Sequence, residues 1–187
     1  KGILIPGLRG RFGLRDIIFD SKNKIIYVSL FLDISGDGCY GMGVLKANFN
    51  EKSISTSKLN FSKFFSTTNC NRNFNGHASG GRLHLKGNKL IMTIGSYDMN
   101  LYGDSSIPQD ISTAVGKVIS INPDSNFEVL SLGHRNQQGL EIINDTIFIS
   151  EHGPMGGDEL NVIADNSHYG WPFYTYGFDY DYVDKFK

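Results

Sequence analysis

The sequence predicts an all-β protein that forms part of a β-propeller, and three observations carry this prediction. Short runs of β-branched and aromatic residues recur along the chain, as is typical of strands. Turn dipeptides such as Gly87-Asn88 and Asn144-Asp145 connect them and tolerate the positive φ of tight hairpins. The third observation is a repeat, in which glycine, a short strand, a tight turn and a longer apolar strand follow one another three times.

Nine segments have the composition of strands. Each is rich in Val, Ile, Leu, Phe or Tyr and lies next to polar or glycine-containing turns. In chain order the predicted strands are 16–19, 25–31, 44–49, 82–85, 89–94, 117–121, 127–132, 140–143 and 146–150. No segment has sustained helical periodicity, and 110–115 is predicted to form at most one helical turn.

The repeat begins at Gly13, Gly81 and Gly139, which lie 68 and 58 residues apart. These spacings are long for a propeller blade but accommodate four strands with insertions. Propellers typically close with four to eight blades, whereas three copies use the whole chain. We therefore expect residues 1–187 to form one partial propeller domain of about three blades, without a second domain. The alternatives are a β-sandwich with chance similarity between its hairpins, and repeats that are not blades.

An open arc of blades would expose apolar faces and strand edges, which favour association. We therefore expect a missing segment or another chain to complete the ring. The charge balance limits the other partners: 18 basic and 19 acidic residues give a formal net charge of −1, so nucleic acid and anionic lipid are not expected ligands. No stretch approaches the roughly 18 uncharged apolar residues of a membrane span.

The two cysteines, Cys39 and Cys70, lack the spacing of a zinc site. Both lie in polar stretches rich in glycine or asparagine. Two interpretations stay open. One is a disulfide between loops, which would indicate an oxidising compartment. The other is a pair of unrelated thiols.

Special residues are densest between Ser150 and Asn161. Glycines around Pro154 impose a turn that directs backbone carbonyls outward, and carbonyls with carboxylates are the ligands that calcium selects. Asp158 and Glu159 are neighbours, so on a strand their side chains would face opposite sides. The segment is therefore a candidate calcium site, and the alternative is a solvated acidic turn with an aromatic packing corner.

Two further loops precede predicted strands at matching places in the second and third repeats. Arg135 can hold a carboxylate with two hydrogen bonds, and Asn136 can hold a carbonyl edge, although both also suit a surface turn. His77 occupies the position equivalent to His134 and is a candidate general base, although a single loop histidine is more often a polar surface residue. Because these loops lie at matching ends of consecutive repeats, we expect their residues to share one site.

Four motifs resemble one known family. They are Gly153-Pro154-Met155-Gly156-Gly157-Asp158-Glu159-Leu160-Asn161 with Tyr169-Gly170-Trp171-Pro172, Arg135-Asn136-Gln137-Gln138-Gly139, His77 with Gly80-Gly81-Arg82-Leu83, and Gly116-Lys117-Val118. In order and rough spacing they are similar to the soluble glucose and sorbosone dehydrogenases, aldose sugar dehydrogenases that use pyrroloquinoline quinone (PQQ). The resemblance spans most of the chain. It implies a six-bladed propeller, of which this chain matches the first half to two thirds.

The resemblance also implies roles. His77 would take the proton of the sugar C1 hydroxyl while hydride passes to the quinone, and Arg135 and Asn136 would contact the cofactor. The carbonyls of Gly153 and Pro154 would hold the calcium that polarises the quinone.

On weaker grounds, Asp158, Glu159 and Tyr169 would belong to a second, structural calcium site. The family works in the periplasm, so the resemblance implies a periplasmic or secreted protein.

Two departures from the family qualify the enzymatic hypothesis. The family often has Gly-Asp after the 89–94 strand, and here Gly95-Ser96 removes the carboxylate. The family's later blades supply further basic cofactor contacts that this sequence does not contain. The first hypothesis is therefore a dehydrogenase active only in a completed propeller, and the alternative is a non-catalytic propeller that serves as a binding or assembly module.

Overall fold

A computed structural model describes residues 13–50, 59–70, 72, 76–97 and 106–178. These residues are almost entirely strands and turns, which confirms the predicted all-β class. In chain order the elements are β1 Leu14–Asp20, β2 Ile25–Asp33, β3 Tyr40–Asn48, β4 Ser62–Ser66, β5 Gly80–Lys86, β6 Lys89–Ile94, a 3-10 helix Ile107–Gln109, β7 Lys117–Ile121, β8 Phe127–Leu132, β9 Gln137–Ile143, β10 Thr146–Glu151, β11 Glu159–Ile163 and β12 Ser167–His168.

The strands form three sheets in which neighbours along the chain are antiparallel partners. The first sheet has the order β1-β2-β3-β4, the second β5-β6-β7-β8 and the third β9-β10-β11. The short β12 adds to the outer edge of the second sheet, parallel to β8. The first strand of the second sheet, β5, lies against both β1 and β9. Three sheets that radiate from adjacent first strands are consecutive propeller blades, each beginning close to one of the three predicted repeat glycines.

The structure adds three strands that the sequence did not predict. β4 contains only two apolar residues, Phe64 and Phe65, and β12 has only two residues, so neither gives a periodic signal. β11 lies inside the segment interpreted as an acidic turn, and its apolar residues Leu160 and Val162 are exposed. The only helical turn in the described ranges is Ile107–Gln109 rather than 110–115, because Pro108 fixes φ where a missing N–H is tolerated.

Two apolar clusters join the blades. The larger one packs the first blade on the second and includes Phe31, Met42 and Met92, whereas the smaller one packs the second blade on the third and includes Ile91 and Ile149. Met92 and Ile91 are neighbours on β6, so successive side chains point into different clusters, as the pleat of a strand requires. The middle blade is therefore buried on both faces.

A disulfide joins Cys39 and Cys70, which confirms the first of the two cysteine interpretations. Cys39 directly precedes β3, and Cys70 follows β4, the antiparallel neighbour of β3. The start of β3 and the end of β4 lie at the same end of the first blade, so the pairing follows from the sheet. None of the helical residues in the described ranges forms a helix that is long and apolar enough to cross a membrane.

Lys117 is a buried cation in the second blade, with no exposed surface. Its ammonium group donates to three backbone carbonyls, those of Ile107 at 3.0 Å, Pro108 at 2.9 Å and Val115 at 2.7 Å. These bonds fasten the loop before β7 to the sheet. Burial disfavours the charged amine and lowers the pKa of Lys117 to about 8, and nearby Asp110 opposes this effect.

Removal of the disulfide is expected to lower the free energy of unfolding. The bridge closes a loop with a sequence separation of 31 residues, which corresponds to about 3–4 kcal/mol of loop-closure entropy in the unfolded chain. Urea unfolding of the Cys39→Ser/Cys70→Ser variant checks this value, and the parent protein under reducing conditions serves as the control. A loss below about 1 kcal/mol would contradict this account.

Lys117 is expected to make stability depend on pH. The pKa of Lys117 is lower in the folded than in the unfolded chain, so between about pH 8 and pH 10.5 the unfolded chain binds more protons and stability rises with pH. The difference in unfolding free energy between the parent and Lys117→Met should grow by about 1–3 kcal/mol from pH 7 to pH 10. Urea unfolding across this range measures it. Lys89→Met, which removes a partly exposed lysine paired with Glu128, serves as the control for removal of a lysine.

Candidate functional site

The loops that carry the predicted site residues meet at one end of the second and third blades. This is the end where β5 and β9 begin and where β6 and β10 finish. The segment after β6 ties them together, since Gly95 N–H donates to Ser79 O at 2.9 Å and Ser96 N–H donates to Arg135 O at 2.8 Å. The structure thus places the loops of His77 and Arg135 at one end, as the matching repeats predicted.

Arg135 is the centre of this region. It is half-buried, and its Nη1 donates to Gly153 O at 2.6 Å and to His152 O at 3.2 Å. Its guanidinium carbon lies 5.2 Å from the centroid of the Trp171 ring, so the cation rests on an aromatic face. A predicted cofactor contact, Arg135, and a predicted calcium ligand, Gly153, are therefore direct hydrogen-bond partners.

Asn136 joins the second and third blades. Its Oδ1 accepts from Gly80 N–H at 3.4 Å and from Gln138 Nε2 at 2.6 Å. Because the side-chain oxygen is used within the fold, the amide N–H groups are what Asn136 can offer to a ligand.

The two histidines at equivalent positions have opposite surroundings. His77 is exposed, whereas His134 has no exposed surface. Both follow a glycine of positive φ, Gly76 at 90° and Gly133 at 77°, but the turns differ after the histidine, because Ala78 has a φ of 42° whereas Arg135 has a negative φ. An exposed imidazole is accessible to a substrate, and a buried one is not.

Asp158 closes the turn around Gly153. Its Oδ2 accepts from His152 Nδ1 at 2.9 Å, and its Oδ1 accepts from Gly153 N–H at 3.1 Å. The hydrogen bond from His152 is the main reason that the pKa of Asp158 lies below its ordinary value. The carboxylate is exposed and organises the loop that presents the Gly153 and Pro154 carbonyls.

Glu159 and Tyr169 lie near this loop, and both line a small cavity with Arg135, Gly153 and Trp171. Both line an open groove of about 700 Å³ together with exposed aromatic residues, whereas Asp158 does not line it. The Tyr169 hydroxyl donates to Val162 O at 2.5 Å, and Glu159 accepts from Asn161 at 2.9 Å. Of the three residues predicted for a second calcium site, the structure brings two together. Within the described ranges, no three His, Cys, Asp or Glu side chains are placed to hold a metal.

The residues around Arg135 fit an anionic, planar quinone. The guanidinium supplies charge, the Trp171 ring supplies a flat apolar surface, and the described residues contain no hydrogen-bond partner for the buried Trp171 Nε1. Whether the Gly153 carbonyl can bind calcium depends on the position of Arg135. The Gly153 carbonyl is already directed at a cation, so Ca²⁺ there requires the guanidinium to give up that oxygen.

Sequence reasoning missed Glu151, the last residue of β10, which is almost fully buried beside Arg135. A signal for it exists in the strand pattern. Ile147, Ile149 and Glu151 alternate along β10, and the first two are core residues, so the same alternation places Glu151 on the buried face. A carboxylate at a core position of a strand indicates a specific polar partner.

Comparison with known proteins identifies the family and the fold of the chain. A family model described as Glucose / Sorbosone dehydrogenase matches residues 7–186. The solved structures that resemble the chain share its β-propeller architecture. The chain therefore belongs to the glucose and sorbosone dehydrogenase family, as the motifs indicated.

Three relatives show the extent of the match. The aldose sugar dehydrogenase YliI of Escherichia coli K12 is 28% identical over 192 residues, covering 91% of this chain and 49% of the relative. The apo-form crystal structure of the soluble aldose sugar dehydrogenase from Escherichia coli superimposes with a TM-score of 0.76 at 25% identity, covering 92% and 52% of the two chains. The PQQ-bound aldose sugar dehydrogenase of Streptomyces coelicolor gives 0.72 at 26% identity, covering 89% and 51%. The chain spans about half the length of these proteins.

Gly153→Ala is expected to disturb the turn that faces Arg135. A Cβ atom at this position would clash with Gly156 O and would lie 2.7 Å from Gly157 O, and both are backbone atoms. The loop must shift, at a cost of about 1–3 kcal/mol. Urea unfolding measures the loss, and Gly13→Ala is the control because its Cβ would meet nothing within 4 Å. Equal stability of the two variants would show that the loop adapts freely.

Proposed function

We propose that this chain is part of a sugar dehydrogenase that oxidises the C1 hydroxyl of an aldose with PQQ and calcium, and that it acts only in a completed propeller. The observation that carries the proposal is the half-buried Arg135, held between the Trp171 ring and the Gly153 carbonyl at the end where three loops meet. Family membership and the PQQ-bound relative support it. A missing segment or another chain would supply the remaining blades.

The candidate site residues would have separate roles in this reaction. When bound, PQQ accepts the hydride that leaves C1, which is chemistry that no side chain supplies. His77 is exposed at the start of the second blade, where an imidazole can take the hydroxyl proton. Arg135 supplies positive charge where negative charge develops, and the amide N–H groups of Asn136 orient an oxygen acceptor.

The calcium assignment rests on the same turn. The carbonyls of Gly153 and Pro154 would hold the ion, and Asp158 keeps their turn closed. Glu159 and Tyr169 would belong to a second calcium site in the groove that both line. Asp158, which would also belong to this site, precedes Glu159 and does not line the groove. Both sites remain part of the proposal.

The compartment is proposed from the disulfide. A disulfide such as that between Cys39 and Cys70 is typical of oxidising surroundings. This supports a periplasmic or secreted location, in agreement with the family resemblance.

One observation favours the alternative of a non-catalytic binding module. Ser96 is buried, its backbone N–H holds Arg135 O, and its hydroxyl has no hydrogen-bond partner within the described residues. A carboxylate at this place would put a negative charge between the loops of His77 and Arg135. Its replacement by a neutral hydroxyl removes that charge.

Calorimetric titration of PQQ with calcium separates the two functions. We expect binding to the propeller formed with its completing segment or partner chain and little binding to the isolated chain. Arg135→Ala should weaken binding by about 10–100-fold, because a charged hydrogen bond is worth about 1.5–3 kcal/mol. Arg72→Ala, which removes an exposed arginine paired with Asp37, should leave affinity unchanged.

His77→Ala tests the catalytic role in the same assembly. Binding should persist while sugar oxidation falls by about 10²–10⁴-fold, the usual contribution of a general base. Failure of a closed propeller to bind PQQ would reject the dehydrogenase and leave the binding module. Unchanged turnover in His77→Ala would remove His77 from the mechanism.

A further inference from the structure

A chain of three buried polar side chains lies directly behind Arg135. Ser131 is near the end of β8, His134 is in the loop before β9, and Glu151 ends β10. The Ser131 Oγ lies 2.8 Å from His134 Nε2, and His134 Nδ1 lies 2.8 Å from Glu151 Oε2. Ser131 and His134 have no exposed surface, and Glu151 is 7% exposed.

The order serine, histidine, carboxylate is that of a nucleophilic triad, but burial excludes this role here. Catalysis by Ser131 needs a substrate at its hydroxyl, and the residue has no exposed surface. The hydrogen bonds of Ser131 and His134 instead orient the carboxylate of Glu151. A carboxylate only accepts hydrogen bonds, so His134 Nδ1 carries the proton between them. The Tyr169 ring stacks on His134 at 4.6 Å and fixes the imidazole plane.

The second oxygen of Glu151 reaches Arg135. Glu151 Oε1 accepts the backbone N–H of Arg135, and the residues that follow Glu151 provide the carbonyls that bind the Arg135 guanidinium. Arg135 is thus tied at its backbone to Glu151 and at its side chain to His152 and Gly153. A shift of Glu151 moves both attachments together.

A buried carboxylate is costly unless its hydrogen bonds are satisfied, and both bonds of Glu151 go to the residues that frame Arg135. We propose that Glu151, aligned by His134 and Ser131, is a positioning residue that sets where the Arg135 guanidinium meets the Gly153 carbonyl. Its effect on quinone binding rests on the function proposed above. Its effect on the position of the Arg135 guanidinium is independent of that function.

Glu151→Gln is the informative substitution, because it keeps the size of the side chain and changes one acceptor into a donor. The chain offers a matched control in Glu141→Gln. Glu141 also pairs with a histidine, His84, at 3.1 Å, but its side chain is 64% exposed and it lies outside the candidate site. Both variants are made in the full 187-residue chain, and urea unfolding establishes that each is folded.

Two measurements need no quinone. In ¹⁵N-histidine spectra, Glu151→Gln should move the His134 proton from Nδ1 to Nε2, because the glutamine amide now donates to Nδ1. Hydrogen exchange of the Arg135 Nε–H should become about tenfold faster, because the neutral glutamine oxygen binds the Arg135 backbone N–H more weakly than a carboxylate oxygen does. Glu141→Gln should change neither.

The third measurement is PQQ binding to the completed assembly. Glu151→Gln should weaken affinity by about 10–100-fold, the usual effect of losing a group that orients a ligand contact. Glu141→Gln should stay within about twofold. If no form binds PQQ, the proposed function fails, and Arg135 exchange still decides the positioning role.

A folded Glu151→Gln chain in which the His134 proton moves while Arg135 exchange stays unchanged would overturn the positioning role. Should Glu151→Gln not fold, Ser131→Ala serves in its place, because it removes the far end of the chain and keeps Glu151. Arg135 exchange is then expected to rise by about two- to threefold. Unchanged exchange in folded Ser131→Ala would likewise overturn it.

Discussion

The fold depends on apolar packing of the middle blade in two directions. A sheet with one apolar face can pack against one neighbour, but β6 and β7 carry apolar side chains on both faces. Leu90, Met92 and Ile94 point toward the first blade, whereas Ile91 and Val118 point toward the third. The burial of each such side chain contributes about 1.5–3 kcal/mol, so this packing is the main force that aligns the three blades.

Blade packing also builds the candidate site. It places β5 between β1 and β9, so the loops at the end where β5 and β9 begin must meet. Backbone hydrogen bonds from Gly95 and Ser96 then join those loops, and the β9–β10 hairpin register pairs Gln137 with Glu151. That pairing brings Arg135 and Gly153 together, although 18 residues separate them along the chain. Rigid strands therefore hold a site that lies on loops.

Much of the fold was predictable because strand signals are local. β6, β7 and β8 have the predicted bounds, since each is a run of β-branched or apolar residues between turns. β11 was missed because Leu160 and Val162 alternate with polar residues inside a segment that resembles a ligand turn. The disulfide stayed undecided because the distance between Cys39 and Cys70 depends on how β3 pairs with β4.

Part of the candidate site was also predictable from short segments of the sequence. The residue types of the loops and the family resemblance indicated Arg135, Asn136 and Gly153, and the structure places Arg135 against Gly153. His77 and His134 both follow a glycine of positive φ, but the turns after them differ and so does their burial, because burial depends on the surrounding blades. Glu151 was missed although its strand parity indicated the core. The predicted roles of the site residues all stay predictions, namely those of His77, Arg135, Asn136, Gly153, Pro154, Asp158, Glu159 and Tyr169.

The proposed function implies that cofactor binding and completion of the propeller are coupled. The third blade exposes Ile143, Leu160 and Val162, so the described part of the chain leaves several apolar residues of this blade uncovered. PQQ carries three carboxylates, and a single guanidinium such as Arg135 cannot balance that charge in a partly buried site. Further cations would have to come from blades beyond the third.

A ligand held between two sets of blades stabilises their association by RT ln(1 + [L]/Kd), which amounts to about 2.7 kcal/mol at a hundredfold excess over Kd. The quinone would then strengthen the closed ring that it needs in order to bind, and the exposed apolar residues would supply further driving force.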